Sequence, residues 1–340
     1  MTHLVCSDGF AGVERYLANV ATGLTRDGVE VTVIGGDRRQ MTSALASTGV
    51  RWMPGDDMRE AMRTLRATAA PDVLHTHMSQ ADLVGWLYRR APRARRVRQV
   101  STRHFAGPRG RSPLSRAAFR PVGRSLAAQI AISQFVAENV EPPAEVVYSG
   151  VDSTDAARPR EPFVLAAQRL EPEKHTADVI DAWAQSRGPL DGWTLKIAGD
   201  GAERADLEKR AKERGVGDSV EFLGHRPDVP DLLARASMVI APTRREGLGI
   251  LVLEAMAHGT PVVASAGGGH LETVGVATPE LLFPSGDTAY AARVMDSLIA
   301  DDGLRARAGE AARAAQRGRF TLDAQVRGIR AVYDRLGVGE

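Results

Sequence analysis

Two successive runs of strand–helix alternation constrain this chain more than any other feature. Short apolar segments at His3–Cys6, Val29–Ile34, Val73–His75, Arg98–Ser101, Gln129–Ile132 and Val146–Tyr148 read as strands. The amphipathic stretches between them predict helices starting near Gly12, Met41, Met58, Gln80, Ser115 and Gln134. After residue 162 the alternation begins again, with strands near Phe163–Ala166, Thr194–Ala198, Val220–Phe222, Met238–Ala241, Pro261–Ala264 and Leu281–Phe283. Such alternation requires parallel strands joined by crossover helices, so each run predicts a doubly wound α/β sheet with helices on both faces. Between the runs, Val151–Pro162 is polar, carries two prolines and shows no apolar period, which marks a linker. The expected domains are therefore 1–155 and 160–320. The amphipathic stretch Leu322–Leu336, within a terminal segment of about 322–340, has no strand after it and must bury its apolar face on one of the two. Open parallel sheets gather loops and helix N-termini at the carboxyl edges of their strands. If those edges face each other, a cleft with one substrate on each wall is the natural site.

Composition excludes several classes. A chain of 340 residues with 43% hydrophobic and 25% charged residues is an ordinary globular protein of about two domains. No run approaches the ~18 apolar residues of a membrane span. The N-terminus enters a strand directly and has no basic region ahead of an apolar one, so a cytoplasmic location is expected. The single cysteine, Cys6, fits a reducing compartment. Arginine outnumbers lysine tenfold, and the first lysine is Lys174, a bias that GC-rich bacterial codons explain. Aromatic residues are too sparse for the stacking platforms of nucleic-acid binders. Arg89–Arg124 is strongly basic and offers a contact for an anionic acceptor or the inner face of a membrane.

The segment from Ala241 to Pro261 (APTRREGLGILVLEAMAHGTP) carries the most chemistry. A buried strand runs into the loop Glu246-Gly247-Leu248-Gly249, after which a helix carries Glu254 about two turns beyond Glu246. Free N–H groups at such a helix start, beside glycines that admit close backbone approach, can cradle a pyrophosphate. Two carboxylates nearby can accept charge-assisted hydrogen bonds from sugar and ribose hydroxyls. That combination predicts a nucleoside-diphosphate-sugar site. At the same sheet edge, Arg169 and Lys174 follow an earlier strand, and two cations there would neutralise a diphosphate leaving group without a metal. Gly199-Asp200-Gly201 and Gly267-Gly268-Gly269 end other strands at this edge; the first serves mainly a turn, and the second brings backbone near a ligand or marks flexibility.

In the N-terminal half, Gly9 and Gly12 follow the first strand and open a helix, forming an incomplete dinucleotide loop that faces an anion or simply starts the helix. His104 ends a strand at that edge, where it either orients a substrate hydroxyl or serves the structure. His75 and His77 share one side of a strand but lack a third ligand nearby, so no metal is expected.

The chain resembles the retaining family-4 glycosyltransferases nearly end to end. The resemblance rests on Gly12-Val13-Glu14-Arg15, Asp72-Val73-Leu74-His75-Thr76-His77, Ala131-Ile132-Ser133-Gln134-Phe135 and Ser149-Gly150-Val151-Asp152. Arg169 with Lys174, Gly199-Asp200-Gly201, Phe222-Leu223-Gly224 and the E-x7-E element from Glu246 to Glu254 continue it. It implies the GT-B fold of two facing Rossmann-like domains, with the terminal helix crossing back to the first. It further implies that Glu254 binds ribose, Glu246 the donor sugar, and Arg169 and Lys174 the diphosphate, aided by backbone at Gly247, Leu248 and Gly249 and by the loop ending at Gly12. His104 falls where the family's active-site histidine touches the donor sugar. The implied activity is metal-independent transfer, with retention, of a hexose or N-acetylhexosamine to a hydroxyl acceptor in a glycolipid, glycan or secondary-metabolite core. No cofactor is implied beyond the nucleotide sugar as co-substrate. The chain departs from the family pattern at Gly9-Phe10-Ala11, at Ser149, where asparagine is common, and at Gln168, where glycine usually precedes the arginine. A GT-B sugar epimerase and a non-catalytic nucleotide-sugar-binding subunit are the alternative functions.

Overall fold

The computed structural model describes residues 1–110, 112–155 and 158–337. Arg111 of the basic stretch, Ala156 and Ala157 of the linker and the last three positions of the terminal segment lie outside the described residues. The chain divides into two compact units, one from Met1–Ser149 with Leu322–Glu340 and the other from Gly150–Thr321.

The first unit is built on seven strands: Thr2–Val5 (β1), Thr32–Ile34 (β2), Arg51–Met53 (β3), Val73–His77 (β4), Arg98–Arg103 (β5), Ala128–Ala131 (β6) and Glu145–Val146 (β7). They pair in parallel in the order β3-β2-β1-β4-β5-β6-β7. The second unit has Glu161–Ala167 (β8), Thr194–Ala198 (β9), Val220–Gly224 (β10), Ala236–Ala241 (β11), Val262–Ser265 (β12) and Leu282–Phe283 (β13), in the order β10-β9-β8-β11-β12-β13. Both are doubly wound α/β sheets, so the expected Rossmann-like GT-B class holds. In the second unit helices cover both faces of the central strands, and every residue of β11 is buried. The one strand absent from the sequence reading, β3, is a three-residue edge strand with no buried position, and so lacks an apolar run. Strand β8 starts at Glu161 and takes in Pro162, which the sequence pattern places in the linker; its proline lies near the strand's first residue, where a missing N–H is tolerated.

Helices are set by apolar spacing and by side-chain caps. Asp57 accepts hydrogen bonds from the backbone N–H groups of Arg59 and Glu60 at the start of Met58–Ala67, whose buried Ala61 and Leu65 face the core. That core joins Leu4 and Leu74 of the central strands to Ile34, Val84 and Tyr88. The terminal helix, Leu322–Arg335, buries Leu322, Val326, Ile329, Val332 and Tyr333 and packs on the helix Gly12–Arg26 of the first unit. The two helices approach so closely at Gly23 that a Cβ there would lie 2.4 Å from Val326 Cγ2. Among the described residues no helix is long and apolar enough to cross a membrane.

Gly23→Leu is expected to force these helices apart at an overpacking cost of about 1–3 kcal/mol. Val326→Ala in the same chain should restore part of the loss. Thermal melting of the single and double variants checks this; equal melting temperatures for Gly23→Leu and the native chain would disprove the close contact.

Candidate active site

In each sheet the strand order reverses at one point, and crossovers leave on opposite sides there, opening a crevice at the carboxyl ends of the two strands. In the second unit the reversal lies between β8 and β11, which pair directly. The segment after β8 brings Lys174 at the end of a short 3-10 turn, Pro172–Lys174, and the segment after β11 brings Glu246. Lys174 Nζ lies 2.8 Å from Glu246 Oε2, with the two side chains 21% and 23% exposed. The N–H of Gly247 donates to Glu246 Oε1 at 3.2 Å. Burial pushes the Glu246 carboxyl up, but Lys174, His270 and the Gly247 N–H together outweigh it and hold the acid below the usual glutamate range. His270 is fully buried beside this pair, and burial lowers its pKa despite the opposing pull of Glu246. Its Nδ1 lies 3.1 Å from the Ser265 carbonyl, which can only accept, so Nδ1 carries the proton and Nε2 is left as an acceptor. Sequence reading missed His270; the signal available was its place directly after the three glycines that follow β12.

The helix Ile250–Ala257 starts at Gly249 with no side-chain cap, leaving its first N–H groups to other partners. Leu248 is buried, so of Gly247, Leu248 and Gly249 only backbone is offered by the middle residue. Glu254 is half-buried on this helix among buried Val252, Leu253, Ala255 and Met256. Gly267, Gly268 and Gly269 are not a flexible tract. The Gly269 N–H donates to the Glu246 carbonyl at 2.8 Å, and a Cβ at Gly268, where φ is +57°, would lie 2.4 Å from that same oxygen. These glycines let two loops touch and fix the backbone of Glu246. Gly199 acts likewise: with φ at +144°, a Cβ would lie 1.9 Å from the Gln168 carbonyl. The expected cation pair does not assemble, because Arg169 is 62% exposed and bonds Glu173 at 2.7 Å while Lys174 alone reaches Glu246. Glu173, four residues on from Arg169, is the nearer anion along the turn. Gln168 ties this turn down, its Nε2 donating to the Lys174 carbonyl at 3.1 Å and to Thr176 Oγ1 at 3.0 Å.

In the first unit the reversal lies between β1 and β4. The Gly12 helix starts there, but Glu14 in its first turn accepts from the Ala11 N–H at 2.8 Å, so a carboxylate already serves one of the groups that an anion would use. Register then supplies what spacing could not. His3 of β1 sits beside His75 of β4, giving the pair His75 and His77 the third imidazole that the sequence reading found lacking. Ring nitrogens of the three lie within 4.8 Å of one another. His3 Nδ1 is 3.1 Å from His77 Nε2, and His77 Nδ1 is 3.1 Å from His104 Nε2. Both nitrogens of His75 are engaged, Nδ1 by Tyr333 Oη at 2.5 Å and Nε2 by Thr102 Oγ1 at 2.7 Å. Burial lowers His3 and His104 to about 3, and lowers His75 and His77 well below the ordinary value. His104 lines a cavity of about 180 Å³ with Met78, Ser79, Arg103 and Phe105.

The basic stretch Arg89–Arg124 is not one surface. Arg109 is 1% exposed and donates from Nε to Asp82 at 2.6 Å, while Arg103 donates to Glu141 at 2.5 Å and to the Gly107 carbonyl at 2.6 Å. These two pin the loop that follows His104. By contrast the helix Pro113–Arg124 buries only Val122 among its described residues and leaves Leu114 82% exposed beside Arg116, Arg120 and Arg124.

Four imidazoles buried without charge set a pH dependence. A histidine whose folded pKa is depressed contributes its stability fully above the unfolded value near 6.5 and loses it as pH falls toward the folded value. Each contributes at most about 1.4 kcal/mol per pH unit, so the four together contribute at most about 5.6 kcal/mol per pH unit. Thermal melts are expected to be flat above pH about 7 and to fall steeply from about 6.5 to 5. A melting temperature constant over that lower range would contradict neutral burial.

Comparison with known proteins bears on both units. Residues 10–155 match the family described as Glycosyltransferase Family 4, and residues 153–315 match Glycosyl transferases group 1. A 2-deoxystreptamine glucosyltransferase of Streptomyces kanamyceticus is 33% identical over 41% of this chain and 37% of its own length. The match thus spans well under half of that relative. A D-inositol 3-phosphate glycosyltransferase of Salinispora arenicola is 29% identical over 95% of this chain and 86% of its own. The Anabaena HepE protein, solved in complex with UDP and glucose, superposes with a TM-score of 0.81 at 23% identity, covering 98% of this chain and 99% of its own, a likeness of fold. With the two matched segments running together from residue 10 to residue 315, the chain is placed among the group 1 glycosyl transferases.

Proposed function

We propose that the chain is a retaining glycosyltransferase that moves a hexose or N-acetylhexosamine from a nucleoside-diphosphate sugar to a hydroxyl acceptor without a metal. The observation that carries this reading is the Lys174–Glu246 pair at the reversal point of the second sheet, beside the uncapped helix start at Gly249. Lys174 balances the growing charge of a departing diphosphate, and the backbone N–H groups of Leu248 and Gly249 add donors without needing a cation. Glu246 keeps free lone pairs on both oxygens for sugar hydroxyls. Glu254, one helix turn deeper, takes the ribose. Arg169 joins only by leaving Glu173, which an exposed pair worth under about 1 kcal/mol permits. HepE, which binds UDP and glucose, supports the donor class, and the glucosyltransferase relative supports the reaction class.

Losing a charge-assisted hydrogen bond costs about 1.5–3 kcal/mol, so Glu254→Gln should weaken nucleotide binding about ten- to hundredfold in calorimetry. Glu246→Gln should leave that affinity within about threefold and lower turnover at least as strongly, since it acts on the sugar. The assay follows acceptor-dependent nucleotide release over a donor panel, with chelator present and the product anomer read by NMR. Release that needs a divalent ion refutes the metal-free reading, and an inverted anomer refutes retention. Nucleotide binding with no release for any donor and acceptor pair would leave the binding-subunit alternative.

The exposed helix Pro113–Arg124 favours a second element, contact with an anionic membrane face where a lipid-linked acceptor would lie. Each arginine near such a surface contributes about 1 kcal/mol. Co-sedimentation with phosphatidylglycerol vesicles is expected, falling at least tenfold in Arg116→Glu/Arg120→Glu and absent on phosphatidylcholine. Equal binding by native and variant chains would discard the contact.

A further inference from the structure

The donor reading leaves unused a buried chain of polar groups in the first unit. It runs from Thr102 through His75, Tyr333, His3 and His77 to His104. Its links are 2.7, 2.5, 3.5, 3.1 and 3.1 Å, and each imidazole nitrogen except His104 Nδ1 serves one link. A neutral imidazole has one nitrogen that donates and one that accepts, and a phenol has one hydrogen to give. Burial keeps all four rings uncharged. The direction of one link therefore dictates the next, because two lone pairs or two hydrogens face to face in a water-free site are strongly disfavoured. Two arrangements satisfy every link and also use the phenol hydrogen within the chain, one pointing toward His104 and one pointing away.

The shortest nitrogen contact chooses between them. Tyr333 Oη and His75 Nδ1 are 2.5 Å apart, and a phenol is a stronger acid than an imidazole N–H, so Tyr333 donates to His75. His75 Nε2 then donates to Thr102. On the other side His3 Nε2 donates to Tyr333, His77 Nε2 donates to His3, and His104 Nε2 donates to His77. His104 Nδ1 is left without a hydrogen. The ring is held by Tyr16, which stands edge-on to it at 4.7 Å. A cation at His3, His75 and His77 would have to displace Tyr333 or Thr102 from His75, whose two nitrogens are both in use.

We propose that Tyr333, His75, His3 and His77 form a tautomer relay, positioning residues that leave His104 Nδ1 as a hydrogen-bond acceptor for a hydroxyl bound in the cavity beside it. That the hydroxyl belongs to a sugar rests on the function proposed above; the coupling of Tyr333 to His104 does not. The relay also gives the terminal helix a part in the site, since it delivers Tyr333 to the strands.

Histidine ring nitrogens in the full chain can be read by long-range proton–nitrogen NMR with 15N-histidine, using His104→Gln to assign His104. The native protein should show His104 in the Nε2–H form. Tyr333→Phe, which removes the hydroxyl and keeps the ring, should bring in the Nδ1–H form to a third or more of the population, although Tyr333 touches neither His77 nor His104 among the bonded links. Thr102→Val, at the far end, should shift His104 in the same way if Tyr333→Phe does not fold. In the turnover assay Tyr333→Phe should lower kcat about tenfold with donor KM unchanged. His104 signals identical in native, Tyr333→Phe and Thr102→Val chains, a native Nδ1–H form, or stoichiometric bound zinc would each overturn the relay. Absence of turnover with the NMR coupling intact would count against the transferase reading alone.

Discussion

Parallel pairing of β8 with β11 is the constraint on which the second unit's chemistry depends. These strands are neighbours in the sheet but far apart in sequence, and their crossovers depart to opposite sides. Right-handed connection leaves no helix over the gap between their carboxyl ends, so two loops drop into it from either side. Lys174 arrives by one and Glu246 by the other. Their meeting is thus a product of topology, and the backbone around it is fixed by glycine contacts rather than by side chains. Gly268 presses on the Glu246 backbone and Gly269 on that of Gly247 and Leu248, and Gly199 presses on Gln168 at the root of the Lys174 loop. Replacing any of these with a larger residue would move the charged groups without touching them.

The same strand order gives the first unit an opposite electrostatic outcome. There the reversal point is filled by imidazoles and hydroxyls instead of an ion pair, and all four histidines are buried. Lys174 and Glu246 retain about a fifth of their exposure, enough for water to screen the cost of keeping both charged. The histidines are almost wholly buried and have no carboxylate partner among the described residues, so losing charge is the favoured state. One charged buried pair does exist in that unit, Arg109 with Asp82, and it holds the loop after His104; removing one partner of such a pair costs about 3–5 kcal/mol.

How much was legible in advance follows from the range of each interaction. Alternation of apolar runs is local, so the two sheets and most of their strands could be read directly, while β3 could not because an edge strand of three residues buries nothing. The placement of Glu246 in a loop and of Glu254 on the helix after it was legible because loop, helix start and apolar setting lie in one continuous segment. The Lys174–Glu246 contact was only half visible: both residues were singled out, but Arg169 was grouped with Lys174 when a short-range partner, Glu173, takes it instead. His3 and Tyr333 were invisible for a different reason. One needs the register of β1 against β4, and the other needs the docking of a helix more than three hundred residues along the chain. No local pattern encodes either.

Register has a further consequence for the histidines. In a parallel pair, residues in register project to the same face, so His3 beside His75 and His75 two residues before His77 form a column of rings rather than a scatter. Their stacking agrees with it: His75 and His77 centroids are 4.6 Å apart with ring planes 21° from parallel, and His3 and His75 lie at 4.8 Å. A column of rings fixed by two strands cannot rotate freely, so its hydrogen bonds can change only by moving protons and not by moving side chains. That rigidity is what converts three separate histidines into one coupled unit, and it arises from the sheet before any substrate is present.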